Sequence, residues 1–214
     1  MEIWLDTIDT LTIEKAHRAG ILRGVTTTPA MLAAAAEPHE TLKALLAAQP
    51  GPVAVEAGGD IVTQGKKLYE YSERIIVKVP VTESGLEAIS TLAKAKVPVM
   101  ASAIYHPTQA LLAALAGATW VAPTFSRMLT STDNPLALLE IVKNMATHYP
   151  FNTRLLAVHP KTIEQIRSCL AVGIEAITLR EDLLKDLMET HELTAHAVEQ
   201  SSEDWKKLLD KAWF

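Results

Sequence analysis

The chain has 214 residues, 49% of them hydrophobic and 21% charged, with a net charge of −5. That balance fits a globular protein with enough chain for one sizeable core, and an acidic chain without a long single-sign run excludes a general nucleic-acid-binding surface. One cysteine, Cys169, excludes an intrachain disulfide and reads as a small buried apolar residue; no C-x-x-C metal pattern exists.

The opening Met1-Glu2-Ile3-Trp4-Leu5-Asp6 lacks a basic segment and carries an early acid, so it does not read as a secretory leader. No apolar run reaches the roughly 18 residues that span a bilayer. The expectation is a cytoplasmic protein with no membrane partner.

From there, short β-type runs alternate with helical ones. Strands are expected at 2–7, 23–27, 52–57, 75–81, 98–104, 119–125, 153–159 and 175–179. Helices are expected at 9–20, 30–48, 60–72, 83–96, 107–117, 135–148, 161–172 and 181–191. Eight units in strict alternation predict an α/β chain folded as a single (β/α)8 TIM barrel over 1–214. An open doubly wound sheet is the alternative, weakened because no G-x-G-x-x-G follows the first strand. Thr28-Pro29, Asn134-Pro135 and His159-Pro160 each put proline near a helix's first turn, with Asn134 as an N-cap. Gly20 and Gly173 stand where helices should end. Residues 193–214 form an extra C-terminal helix, in which Trp205, Leu208, Leu209, Ala212 and Trp213 make one apolar stripe. That stripe packs either on its own barrel or on a neighbouring subunit.

The fourth strand carries the sharpest signal. Ile75-Ile76-Val77-Lys78-Val79-Pro80-Val81-Thr82 reads as a buried strand with a lysine in it. Burial disfavours the ammonium, and a neutral amine is a nucleophile able to form a Schiff base with a ketone. The alternative is a buried ion pair with Asp6 or Glu56.

In such a barrel the active site forms at the C-terminal ends of the strands. Odd polar residues should therefore sit late in strands and share the inward parity. Asp6 ends the first strand on the same face as Trp4 and can shuttle a proton, or act as a helix N-cap or turn residue. Thr26, Thr27 and Thr28 close the second strand as substrate contacts or helix caps. Glu56 falls late in the third strand and Ser102 in the fifth. Arg127 follows the sixth, and His159 and Lys161 follow the seventh; together they read as a cationic rim for an anion.

The strings LDT at 5–7, GVTTTP at 24–29, IIVKVPVT at 75–82, VAP with Arg127 at 121–127, and the closing Trp-bearing helix resemble the transaldolase family. The similarity is to its short branch, which includes fructose-6-phosphate aldolases, and it covers nearly the whole chain. It implies a (β/α)8 barrel whose Lys78 forms a Schiff base on a ketose or sugar phosphate, with no metal or organic cofactor. By the same resemblance, Asp6 takes the hydroxyl proton that lets the C3–C4 bond break. Glu56 and Ser102 hold and activate water, Arg127 binds the anionic end, and Thr26, Thr28, Thr124, His159 and Lys161 complete the substrate contacts. It also implies a homo-oligomeric ring, a pentamer or decamer, in which the C-terminal helix embraces the neighbour.

Four positions depart from or divide that family. Thr28 stands where relatives usually have Asn, Thr124 where they carry an aromatic (with Phe125 next to it), and His159 where they have an anion-site serine. Glu56 is the transaldolase choice, whereas the aldolase branch carries Gln. Three alternatives follow: the same chemistry on another anionic ketose such as a sulfonated sugar, a deoxysugar-phosphate aldolase, or a sugar-phosphate-binding barrel without turnover.

Overall fold

A computed structural model describes residues 1–131, 134–209 and 211. Eight parallel strands close on themselves: β1 (Glu2–Asp6), β2 (Leu22–Thr26), β3 (Val53–Glu56), β4 (Ile75–Pro80), β5 (Val99–Ile104), β6 (Trp120–Pro123), β7 (Arg154–Ala157) and β8 (Ala176–Leu179). β8 pairs with β1, so the predicted (β/α)8 TIM barrel is what forms. The helices are α1 (Thr10–Arg18), α2 (Pro29–Ala34), α3 (Pro38–Ala48), α4 (Ile61–Tyr71), α5 (Glu83–Lys94) and α6 (Pro107–Leu115). They continue with α7 (Phe125–Ser131), α8 (Pro135–His148), α9 (Ile163–Val172), α10 (Glu181–Met188) and α11 (Glu192–Leu209).

Three local expectations change. The single helix expected at 30–48 is two, because Ala35 turns extended and Pro38 starts α3 at its first position; proline pushes the residue before it out of the helical region. A short helix, α7, follows β6 where none was expected. Pro160 precedes α9 rather than opening it, since Thr162 is the N-cap. Asn134 does cap α8, accepting from the Ala137 amide, and Gly173 ends α9 with a left-handed backbone.

The chain divides into two compact units, Met1–Leu183 and Leu184–Phe214. The first holds the barrel. The second holds α11, which carries exposed Leu193, Val198, Trp205 and Leu209. Ala212 and Trp213 of the expected stripe lie outside the described residues. Among the described residues no helix is long and apolar enough to cross a membrane.

Period-two alternation sorts the strand residues. Trp4, Ala54, Ile76, Met100, Trp120, Leu156 and Ala176 point inward and fill the barrel as one layer. Trp4 and Trp120 meet edge to face at 5.4 Å across it. Gly24 is the matching position on β2; a Cβ there would lie 2.8 Å from the Trp4 ring. Below this layer, Arg154 stacks 4.2 Å over Trp120 and reaches Glu2 at 3.1 Å, which seals the N-terminal end. One inward step toward the other end of each strand gives Asp6, Thr26, Glu56, Lys78 and Ser102. The layer is therefore the floor of a site.

Candidate active site

Those five residues line one cavity of about 400 Å³ at the C-terminal end of the barrel. Thr28, Thr124, Arg127 and His159 line it too. Of the ten sequence-predicted site residues, only Lys161 is outside the lining; it is exposed beyond β7.

Lys78 lies across from Glu56 in the β3–β4 register. Its Nζ donates to the Thr27 carbonyl at 2.7 Å. Burial pulls its pKa below the ordinary lysine value, and the opposing attraction of Asp6 and Glu56 does not cancel that. The amine is thus primed to lose its proton while still facing the cavity.

Asp6 is almost fully buried. Burial alone pushes its carboxyl up. The hydrogen bonds from His159 and Thr26, with the positive fields of His159 and Lys78, outweigh it, so the carboxyl sits below its usual value. The Thr26 hydroxyl donates to Oδ1 at 2.7 Å, and His159 Nε2 lies 2.6 Å from Oδ2.

The three threonines after Val25 divide the work. Thr26 holds Asp6. The Thr27 hydroxyl donates to the Ala54 carbonyl and ties β2 to β3. Thr28 caps α2 by accepting from the Met31 amide at 3.2 Å, yet still borders the cavity. The cap reading holds at Thr28, and Thr26 and Thr28 both lie at the cavity wall.

β5 is irregular. Its register with β6 shifts between Ala101 and Ile104, and Ala103 takes a left-handed backbone with φ 56°. The bulge brings both Ser102 and Ala103 to the cavity wall. Ser102 Oγ is buried and has no hydrogen-bond partner among the described residues. Just beyond, Tyr105 accepts from Arg127 Nη1 at 3.3 Å. Tyr105 and Ser126 line the cavity without having been expected from sequence; nothing in a loop tyrosine's neighbours announces its direction. Phe125 starts α7 fully buried and is not part of the lining.

A family model described as Transaldolase/Fructose-6-phosphate aldolase matches residues 3–213. The chain belongs to that family. It is 31% identical to a "Probable transaldolase" of Aquifex aeolicus (strain VF5) over 216 residues, covering 99% of each chain. It is 30% identical to proteins of the same description from Caulobacter vibrioides (strain NA1000 / CB15N), over 96% of each chain, and Nitrosopumilus maritimus (strain SCM1), over 97% of this chain and 96% of the other.

For a transaldolase-family barrel the arrangement has a plain chemical content. A half-buried amine, a buried carboxylate, a second carboxylate and a buried hydroxyl converge on one cavity whose rim carries an arginine. Among the described residues no group of three or more His, Cys, Asp and Glu side chains is placed to hold a metal ion.

Proposed function

We propose that this chain is a Schiff-base enzyme that breaks and makes the C3–C4 bond of a ketose or ketose phosphate. The observation that carries this is Lys78, whose amine faces the cavity with its pKa lowered by burial. Family membership supports aldolase-type chemistry. Lys78 attacks the ketose carbonyl to give an imine. Loss of the C4 hydroxyl proton to the Asp6 region lets the C3–C4 bond break and an aldehyde leave. The protonated imine takes up the electron pair. Glu56 and Ser102 hold the water that forms and hydrolyses the imine. The three-carbon fragment then passes to a second aldehyde or leaves as dihydroxyacetone.

Arg127, with Tyr105 beside it, receives the anionic end. His159 faces Asp6 and Lys161 is outside the cavity lining, so the anion grip centres on Arg127. The exposed apolar residues of α11 support a second part of the proposal, in which 193–214 docks on a neighbouring subunit of a homo-oligomer. Sedimentation of Trp205→Glu as a smaller species than the parent tests it.

Borohydride added with fructose 6-phosphate or dihydroxyacetone should leave a stable mass on the peptide holding Lys78, absent in Lys78→Ala. No adduct across a panel of ketoses and sugar phosphates would sink the reading. Acetaldehyde accepted as donor in place of dihydroxyacetone would mark a deoxysugar-phosphate aldolase. Ligand-induced thermal stabilisation without product would mark a binding barrel.

A further inference from the structure

Alternation along β7 points Leu156 and Val158 inward, so the next residue should face away. His159 does not. Its backbone is left-handed at φ 60°, and the ring turns back onto the cavity wall beside Val158. A non-glycine residue keeps that conformation only where its surroundings impose it. Here the His159 amide donates to the hydroxyl of fully buried Thr178 at 3.0 Å.

The turned ring sets the imidazole against Asp6. Nε2 is buried and lies 2.6 Å from Asp6 Oδ2, while the side chain as a whole is 31% exposed. With Nε2 set against Asp6, Nδ1 is the ring nitrogen left to exchange a proton. Asp6 accepts from Thr26 at Oδ1, and His159 Nε2 lies close against its Oδ2. A carboxylate oriented behind an imidazole is the arrangement that fixes the imidazole tautomer and stabilises its protonated form.

We propose that His159 and Asp6 act as one proton-transfer unit, in which the imidazole accepts the C4 hydroxyl proton and Asp6 orients and balances it. It rests on the Schiff-base reading above and refines which atom holds the proton. In the cleavage direction neutral His159 takes the hydroxyl proton at Nδ1. The C4–O bond becomes the aldehyde carbonyl, and the C3–C4 pair moves into the protonated imine, which becomes a neutral enamine. The positive charge thus passes from the imine to His159, against the Asp6 carboxylate. Addition runs the same steps backwards. Imidazole is the side chain suited to exchanging protons near neutrality, whereas Asp6 is held as a weak base. The other charged groups that line the cavity and the adjoining pocket beside Asp6 are Glu56 from β3, Lys78 from β4, Arg127 beyond β6, and Arg180, Glu181 and Asp182 beyond β8.

The test separates imine formation from bond cleavage. Dihydroxyacetone forms an imine without any C–C step, so borohydride trapping reports Lys78 alone. Asn tolerates the left-handed backbone at 159 and cannot relay a proton. His159→Asn should trap dihydroxyacetone as well as the parent, yet cleave fructose 6-phosphate with kcat reduced about 100-fold or more. Added imidazole should restore part of the rate in His159→Gly. The double variant Asp6→Asn/His159→Asn should be no slower than the worse single one. Cleavage within a few-fold of the parent in His159→Asn would overturn the proposal, as would parallel loss of trapping and cleavage, which marks a structural role. Absence of trapping in the parent itself would overturn the Schiff-base reading, and the dyad with it.

Discussion

Lys78 Nζ donates a 2.7 Å hydrogen bond to the backbone carbonyl of Thr27. The ion pair with Asp6 or Glu56 that the sequence left open does not form among the described residues; Asp6 pairs with His159 instead. The difference matters for a nucleophile. A carboxylate would hold the ammonium charged. A carbonyl accepts equally from a neutral amine, orients it, and leaves its lone pair free.

Lys78 should therefore trade stability for reactivity. Its charged form is disfavoured by burial more than Asp6 and Glu56 favour it. Lys78→Met keeps the volume and removes the charge. It should raise Tm by roughly 2–4 °C, the equivalent of about 1 kcal/mol in a chain this size, and abolish the borohydride adduct. A lower Tm in calorimetry would mean that the ammonium stabilises the fold.

Asp6 has the opposite linkage. Its folded pKa lies below the unfolded value of about 3.9. Its contribution to stability is then fully present above that unfolded value and is lost as pH falls through the folded one. Denaturant unfolding of the parent and Asp6→Asn should differ by a constant margin from pH 7 down to about 5, and the margin should shrink below about pH 4. A margin that grows on acidification would contradict the direction assigned to Asp6.

The late-strand acids and the lysine were legible because a strand's period of two needs only the chain itself. Once Trp4 and Ile76 point inward, Asp6 and Lys78 must as well. Pro38 also carried its message in plain sight: a helix through 30–48 had to break there. Ala103 was not legible, and neither was the backbone turn that sets His159 against Asp6. Both are non-glycine residues with left-handed backbones, at φ 56° and 60°, and each adds a side chain to the cavity against the alternation. Such a turn is imposed by distant partners, Thr178 for His159 and the β5–β6 register shift for Ala103. Neither partner is a local pattern.

Gly85 should prove as necessary to Lys78 as anything in the cavity. It lies in the first turn of α5, where a Cβ would run into the Pro80 carbonyl at the end of β4. Backbone cannot rotate away as a side chain does. Gly85→Ala should cost about 1–3 kcal/mol in denaturant unfolding. It should also slow imine trapping, because the displaced strand end is the one that carries Lys78. Trapping at the parent rate with lowered stability would show that β4 absorbs the clash beyond Pro80.

Ser102 separates function from stability in the other direction. Its hydroxyl is buried at the β5 bulge and has no partner among the described residues, so it is desolvated without a compensating bond. Removing a polar group of that kind leaves nothing behind unpaired. Ser102→Ala should therefore keep stability within about 1 kcal/mol of the parent, or raise it. If the hydroxyl serves the water of imine formation and hydrolysis, turnover should fall on the order of 100-fold, the scale for one lost group at a reacting oxygen. The loss should appear in kcat rather than KM, since the water is engaged after the ketose is bound. A variant that loses stability but keeps kcat would assign Ser102 to packing at the bulge and leave the water to Glu56 alone.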